Sequence, residues 1–247
     1  MITTYHRPKT IEEALTLLTQ PNTLPLGGGT LLSHTTAESI SVVDLQALSL
    51  NHIHKKGNNL EIGATVTLQQ LLESEHCPEA LKKTLKLEAP LNLRNSASVA
   101  GTLVSSDGRS TFACAMLALD VKIEIQSSNT EPRILNIGEF LPLRPAGLIT
   151  QVTVPLNAQL AFETVGRTPS DKPIVCTALA QWGKGRTRLA IGGWGRSPTL
   201  AVDGTEADGL ETAARNACHE SSDENASAEY RMDVSATLAG RCMESLQ

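Results

Sequence analysis

The sequence has no surplus of basic charge. Its 21 lysines and arginines stand against 26 aspartates and glutamates, a net charge of −5 over 247 residues. A protein that neutralises phosphates along DNA or RNA carries the opposite sign, which argues against nucleic acid as a partner. Long hydrophobic runs are missing too. No stretch approaches the roughly 18 apolar residues that cross a bilayer, and the start, Met1 to Leu18, scatters charge where a signal peptide would keep an apolar core. The expectation is a soluble, cytoplasmic chain without a membrane span. Cysteine is present without pattern: Cys77, Cys114, Cys176, Cys218 and Cys242 are odd in number and show no C-x-x-C spacing. Disulfides, zinc ribbons and plant-type iron–sulfur clusters are therefore disfavoured. Small buried thiols are the plainer reading, and a nucleophilic cysteine approached by a histidine is the sharper one. Aromatics are few, with two tryptophans, two tyrosines and three phenylalanines. Trp182 and Trp194 accordingly read first as core or interface anchors, ahead of stacking on a ligand.

Three catalytic or nucleotide motifs are also absent. A P-loop requires Lys and then Ser or Thr after its last glycine, whereas Gly29 is followed by Thr30, Leu31 and Leu32. Neither Gly27–Gly29 nor Gly192–Gly195 completes the Rossmann G-x-G-x-x-G. No G-x-S-x-G elbow is present for serine hydrolysis. His52 and His54 alternate as strand-borne ligands do, but one short spacing with no carboxylate close by is thin support for a metal.

What is present is a globular composition, 40% hydrophobic and 19% charged, long enough for one large core or two modest ones. Thr10 to Glu13 matches a capping box ahead of a helix reaching about Thr19, and Thr67 with Gln70 repeats it for a helix over Leu68 to Glu73. A further helix is predicted over Pro78 to Glu88, and a buried one over the apolar run Phe112 to Asp120. Strands are predicted over Ser41–Leu45, Leu60–Val66, Val121–Ile125 and Leu148–Val154, with a turn over Ser127–Pro132. Composition shifts at Pro155 to Gln159, the candidate domain boundary. Beyond it come strands over Ile174–Trp182 and Thr187–Ile191, a Gly-rich corner at Gly192–Gly195, and helices over Asp208–His219 and Ala226–Arg241.

Two loops invite a ligand. Gly27-Gly28-Gly29-Thr30 removes three Cβ atoms in succession, which suits either a tight turn or a nest of N–H groups around a phosphate. Ser98 to Thr102 reads as a second short loop, with Ser98, Gly101 and Thr102 as donors, so the two converging could hold a dinucleotide's pyrophosphate without a lysine. Arg94 faces a phosphate or partner, or anchors its loop by bonds to carbonyls. Arg167 and Asp171 have the spacing of a turn-bracing ion pair. The acidic stretch from Asp203 to Glu229 reads as a solvated helix face or a docking face.

At these loops a resemblance enters. Tyr5–Pro8, Ile11–Leu18, Gly28-Gly29-Thr30, Val42–Leu45, Leu60–Leu71, Leu93–Val99, Met116–Asp120, Val165–Val175 and Ser227–Arg231 occur in the order and spacing of one family. The chain resembles the FAD-binding (medium, flavoprotein) subunit of the molybdopterin dehydrogenases, or molybdenum hydroxylases, the family of carbon monoxide dehydrogenase and xanthine dehydrogenase. The resemblance implies an α+β fold. A two-part FAD-binding region of the vanillyl-alcohol-oxidase type would occupy 1–157 (subdomains about 1–57 and 58–157), followed by a smaller α+β domain at 158–247. It implies FAD as cofactor, its pyrophosphate between Gly27, Gly28, Gly29, Thr30 and Leu31 on one side and Ser98, Val99, Ala100, Gly101 and Thr102 on the other. No catalytic side chain and no metal ligand is implied for this subunit. A molybdopterin-binding large subunit and an iron–sulfur small subunit are the implied partners. Electrons would arrive through the clusters and leave to NAD, a quinone or oxygen. The chain departs from the family pattern T-x-G-G-N at Ala100 and Thr102, and places Thr111 where the family has an aspartate, with Asp107 and Arg109 changing the charge pattern nearby. An alternative follows from these departures: a scaffold or partner-binding paralogue that keeps the fold with weak or lost FAD binding.

Overall fold

The computed structural model describes residues 1–32, 39–128, 130–168, 171–205 and 208–247. Three sheets organise them, taken in chain order. The first is parallel, with β1 (Ile2–His6), β2 (Thr23–Leu26) and β3 (Ile40–Asp44) in the order β1-β3-β2. Helix α1 (Ile11–Leu18) connects β1 to β2. Thr10 Oγ1 accepts from the Glu13 N–H at 3.2 Å, as the capping motif predicts, but the Glu13 carboxylate reaches back to Lys9 N–H at 2.9 Å, one residue before the cap.

The second sheet is antiparallel and comprises β4 (Ile53–Lys56), β5 (Asn59–Gly63), β6 (Lys122–Gln126), β7 (Arg133–Asn136) and β8 (Leu148–Pro155), ordered β4-β5-β8-β6-β7. Between β5 and β6 the chain runs through α2 (Leu68–Glu73), α3 (Glu79–Glu88), α4 (Leu91–Arg94), α5 (Val99–Ser105) and α6 (Thr111–Ala118), and α7 (Ile137–Leu143) follows β7. Helix α2 has the full capping box: Thr67 Oγ1 accepts from Gln70 N–H at 3.1 Å and Gln70 Oε1 from Thr67 N–H at 2.9 Å. All eight residues of α6 are buried. A helix apolar on every side belongs inside a core, so α6 is the pin around which the rest packs.

The third sheet, also antiparallel, holds β9 (Ala158–Val165), β10 (Val175–Trp182), β11 (Thr187–Gly192) and β12 (Thr199–Gly204) in the order β12-β11-β10-β9. Helices α8 (Leu210–Ala217) and α9 (Ala228–Leu246) cover one face, where Val175, Leu179, Leu189 and Ile191 join Leu210, Ala214 and Leu238 in a compact cluster. Strand alternation sends Cys176, Ala178, Ala180 and Ala190 to the other face, into the large core that contains α6. Their small size lets the helix approach closely: Cys114 Sγ lies 3.5 Å from the Ala190 carbonyl oxygen. One core thus runs continuously from the second sheet, through α6, to the third. Among the described residues no helix is long and apolar enough to cross a membrane.

Candidate functional site

The Gly27–Leu31 loop leaves the C-terminal end of β2 and lies against the residues just before α5. An ideal Cβ on Gly28 would stand 1.5 Å from the Ser96 carbonyl oxygen, and one on Gly27 would stand 2.7 Å from Ser98 Oγ. Gly29 takes φ +70°, a left-handed conformation that disfavours a side chain. The triple glycine is therefore a packing requirement: two segments about seventy residues apart in sequence touch here backbone to backbone. The turn after β3 holds the loop from the other side. Gln46 Nε2 donates to the Gly27 carbonyl at 3.1 Å, while the buried Asp44 carboxylate accepts from Gln46 N–H at 3.0 Å and from the Tyr5 hydroxyl. Among the described residues, the N–H groups of Gly28, Thr30 and Leu31 donate to no acceptor of the chain.

The Ser98–Thr102 segment differs from the sequence expectation, which placed a loop with free donors there. Ser98 is the N-cap of α5 and Val99–Thr102 are its first turn. Val99 N–H donates to Val66 O at 2.8 Å and Ala100 N–H to Ala64 O at 3.3 Å, while Gly101 N–H donates to Ser98 Oγ at 3.1 Å and Thr102 N–H to Ser98 O at 2.8 Å. The Thr102 hydroxyl also donates to Ser98 O at 2.8 Å. Ala100 has no positive φ, so its methyl group is accommodated without strain. Sequence reasoning missed the helix because Val-Ala-Gly-Thr is a weak helix former. Long-range bonds to the β5–α2 connection fix it instead.

The segment between α5 and α6 is fastened to the third sheet. Gly108 N–H donates to Gly195 O at 2.9 Å and Gly193 N–H to Gly108 O at 2.7 Å, and a Cβ on Gly108 would meet the Trp194 carbonyl oxygen at 1.6 Å. The Gly-rich corner thus docks on Gly108. Arg109 donates to the carbonyls of Lys172 (2.7 Å) and Pro173 (3.0 Å), and Lys172 pairs with Asp107 at 2.8 Å. Behind the corner, the fully buried Arg231 donates to the carbonyls of Ile174 (3.1 Å) and Gly193 (3.4 Å), and to the Asp223 carboxylate at 2.7 Å.

A sequence model of the FAD binding domain in molybdopterin dehydrogenase matches residues 1–157. The chain belongs to this family. The carbon monoxide dehydrogenase medium chain of Afipia carboxidovorans is 25% identical over 194 residues, 71% of this chain and 67% of its own. The 6-hydroxypseudooxynicotine dehydrogenase complex subunit alpha of Paenarthrobacter nicotinovorans is 26% identical over 230 residues, 82% of this chain and 78% of its own. In fold, the chain matches reconstituted CO dehydrogenase from Oligotropha carboxidovorans with a TM-score of 0.83 at 24% identity, over 98% of this chain and 96% of that one. Quinoline 2-oxidoreductase from Pseudomonas putida 86 matches with a TM-score of 0.81 at 21% identity, over 98% and 95%. The mixed α/β architecture is therefore that of the CO dehydrogenase chain, and FAD is the cofactor that family membership gives this protein. The glycine loop fits such a ligand, since Gly27 and Gly28 admit no Cβ and, among the described residues, the amides of Gly28, Thr30 and Leu31 donate to no acceptor of the chain.

Thr111, the position to which the resemblance assigns an aspartate, lies beside a carboxylate from another helix. Glu88, the last residue of α3, accepts from Ser110 Oγ at 2.9 Å, Thr111 Oγ1 at 3.1 Å and Phe112 N–H at 2.9 Å. It caps α6 across 22 to 24 residues of sequence, and burial pushes its carboxyl above the ordinary range despite these bonds. Nothing in the local sequence marks this role. Thr111 also borders a cavity of about 390 Å³ lined by Leu87, Thr164, Arg167 and Asp171. The resemblance-bearing segment from Val165 therefore meets Thr111 in space, although Arg167 and Asp171 form no ion pair among the described residues. Asn129, Pro169, Ser170, Glu206 and Ala207, which belong to the turn, the Val165–Val175 segment and the acidic stretch, lie outside the described residues.

The remaining candidates make contacts within the chain. Arg94 donates to Ala89 O at 2.7 Å and Gln69 Oε1 at 2.9 Å, anchoring α4. Trp182 and Trp194 pack on the two cores beneath Arg186 and Arg231, at 5.2 and 5.8 Å from ring centroid to guanidinium carbon. All five cysteines are free and buried. Burial pushes the Cys77 and Cys242 thiols up to about 12, far from a nucleophile's range. His52 and His54 stack at 5.3 Å, and no group of three or more metal-ligating side chains occurs among the described residues.

Proposed function

We propose that the chain is the FAD-carrying, electron-transfer subunit of a molybdenum-hydroxylase-type complex. It would lie between an iron–sulfur small subunit and an external acceptor, with substrate oxidised on a molybdopterin-binding large subunit. The observation that carries the proposal is the close approach of Gly27 and Gly28 to Ser98 and Ser96, which brings the Gly27–Leu31 loop against the start of the Ser98–Thr102 turn. FAD supplies the redox chemistry when bound, and this chain's residues bind, orient and shield it. Gly27, Gly28, Gly29, Thr30 and Leu31 form the open side of the cradle and Ser98, Val99, Ala100, Gly101 and Thr102 the packed side. Family resemblance and the names of the relatives, a medium chain and a complex subunit, support an assembled complex. The same reading takes 1–157 as a two-part FAD region of the vanillyl-alcohol-oxidase type, divided near residue 57, takes 158–247 as the C-terminal domain, and places the chain in the cytoplasm.

A second reading, a scaffold with weakened FAD binding, draws on one observation: every N–H from Val99 to Thr102 is already bonded inside the chain. Purifying the protein from its own cells with whatever partners accompany it separates the two. Flavin, iron and molybdenum together in fixed ratio support the electron-transfer subunit. Iron and molybdenum without flavin support the scaffold.

A further inference from the structure

Resting on the reading that these two segments hold the pyrophosphate of FAD, we infer that they divide the labour. The Gly27–Leu31 loop donates the backbone hydrogen bonds, and the Ser98–Thr102 turn, whose amides from Val99 to Thr102 are bonded within the chain, supports that loop through Ser98. A pyrophosphate is an anion and takes donors only. Val99, Ala100, Gly101 and Thr102 have given their amide hydrogens to Val66 O, Ala64 O, Ser98 Oγ and Ser98 O, and the Thr102 hydroxyl donates to Ser98 O. Offering the Val99 or Ala100 amide to a ligand means breaking the bonds that fix α5 to the β5–α2 connection, and offering the Gly101 or Thr102 donors means breaking the bonds to its own cap, Ser98. In the Gly27–Leu31 loop, the amides of Gly28, Thr30 and Leu31 donate to no acceptor of the chain among the described residues.

The glycines follow the same division. Gly27 and Gly28 lack Cβ atoms because Ser98 Oγ and the Ser96 carbonyl fill that space, whereas a Cβ on Gly101 would meet only the cap of its own helix, Ser98 Oγ, at 2.8 Å. Gly101 serves the helix turn. Gln46 is the positioning residue of the donor loop: its side-chain amide holds the Gly27 carbonyl at 3.1 Å, engaging an oxygen that would otherwise repel an anion. The buried Asp44 in turn fixes the Gln46 backbone.

The test compares dissociation constants of the full chain for FAD and for ADP, which keeps the pyrophosphate and lacks the flavin ring. Thr102→Val is expected to change both constants by less than about threefold, because it removes no ligand donor. Leu31→Pro deletes an amide hydrogen at an exposed residue and is expected to weaken both ligands by about tenfold or more, the scale of one charge-assisted bond. Gln46→Leu, expected to weaken both by about threefold to tenfold, decides the matter if Leu31→Pro does not fold. A tenfold loss in Thr102→Val overturns the inference, as does unchanged affinity in Gln46→Leu and in a folded Leu31→Pro. Wild-type protein that binds ADP but not FAD overturns the FAD reading while the ADP constants still judge the division. Binding of neither overturns both.

Discussion

Gly28 and Ser96 are in backbone contact, so close that a methyl group on Gly28 would fall 1.5 Å from the Ser96 carbonyl oxygen. Because the obstacle is backbone, no rotamer change relieves it. Gly28→Ala is therefore expected to part the two segments, lowering stability by about 3 kcal/mol and abolishing retention of FAD. Thermal melts and flavin content of the purified variant check this. Full flavin content in Gly28→Ala would mean that the contact does not shape the site.

Thr111 and Glu88 make a second prediction. Thr111→Asp puts a second carboxylate where Thr111 Oγ1 now lies 3.1 Å from Glu88 Oε2. Two buried like charges repel, and the expected loss is about 3 kcal/mol at neutral pH. The double variant Thr111→Asp with Glu88→Gln should recover most of it. A double variant no more stable than Thr111→Asp alone would contradict the account.

Glu88 also predicts a pH dependence. Burial raises its carboxyl above the ordinary value of 4.5, so the folded chain holds this proton more tightly than the unfolded chain does. The resulting stabilisation is complete below 4.5 and is lost as pH climbs through the raised value. Relative to Glu88→Gln, the wild type should lose stability as pH rises above 4.5. Melting midpoints of both proteins across that range decide it, and a wild type that gains on the variant would overturn the assignment.

The five thiols should be inert. All are buried, and burial drives Cys77 and Cys242 up to about 12. Iodoacetamide at neutral pH is expected to label none of them in the native chain and all of them in denaturant, read by mass spectrometry. Rapid native labelling of Cys114 or Cys176 would revive a cysteine-dependent chemistry.

Arg231 is the fifth case. Its side chain is fully buried and bonds the carbonyls of Ile174 and Gly193 as well as Asp223. Arg231→Met leaves these acceptors without their donor and is expected to lower stability by about 3–5 kcal/mol, a fall in melting midpoint of roughly 10 °C. A variant melting within about 2 °C of wild type would show that the Gly-rich corner does not depend on this arginine.

Local patterns carried much of the fold. The Thr67–Gln70 box starts α2 where the spacing places it, and the apolar run after Ser110 is the buried α6. Strands β6, β8, β10 and β11 follow their alternating or β-branched runs. What escaped was set by distant partners. Helix α5 forms from small residues because Ala64 and Val66 accept its first amides, and β7 and β12 are short edge strands with little pattern of their own. At the site, the Gly27–Gly29 run was legible as a place of close approach. That its closeness is to Ser96 and Ser98, that Gln46 holds it, and that the Gly192–Gly195 corner serves Gly108 depend on contacts that spacing does not encode.

The most direct test of the central claim is an absorption spectrum of the freshly purified chain from about 300 to 550 nm, repeated after equilibration with FAD and removal of the excess, the bands being those of the cofactor. The account predicts flavin bands at close to one FAD per chain. A folded protein that stays colourless in both spectra would contradict it.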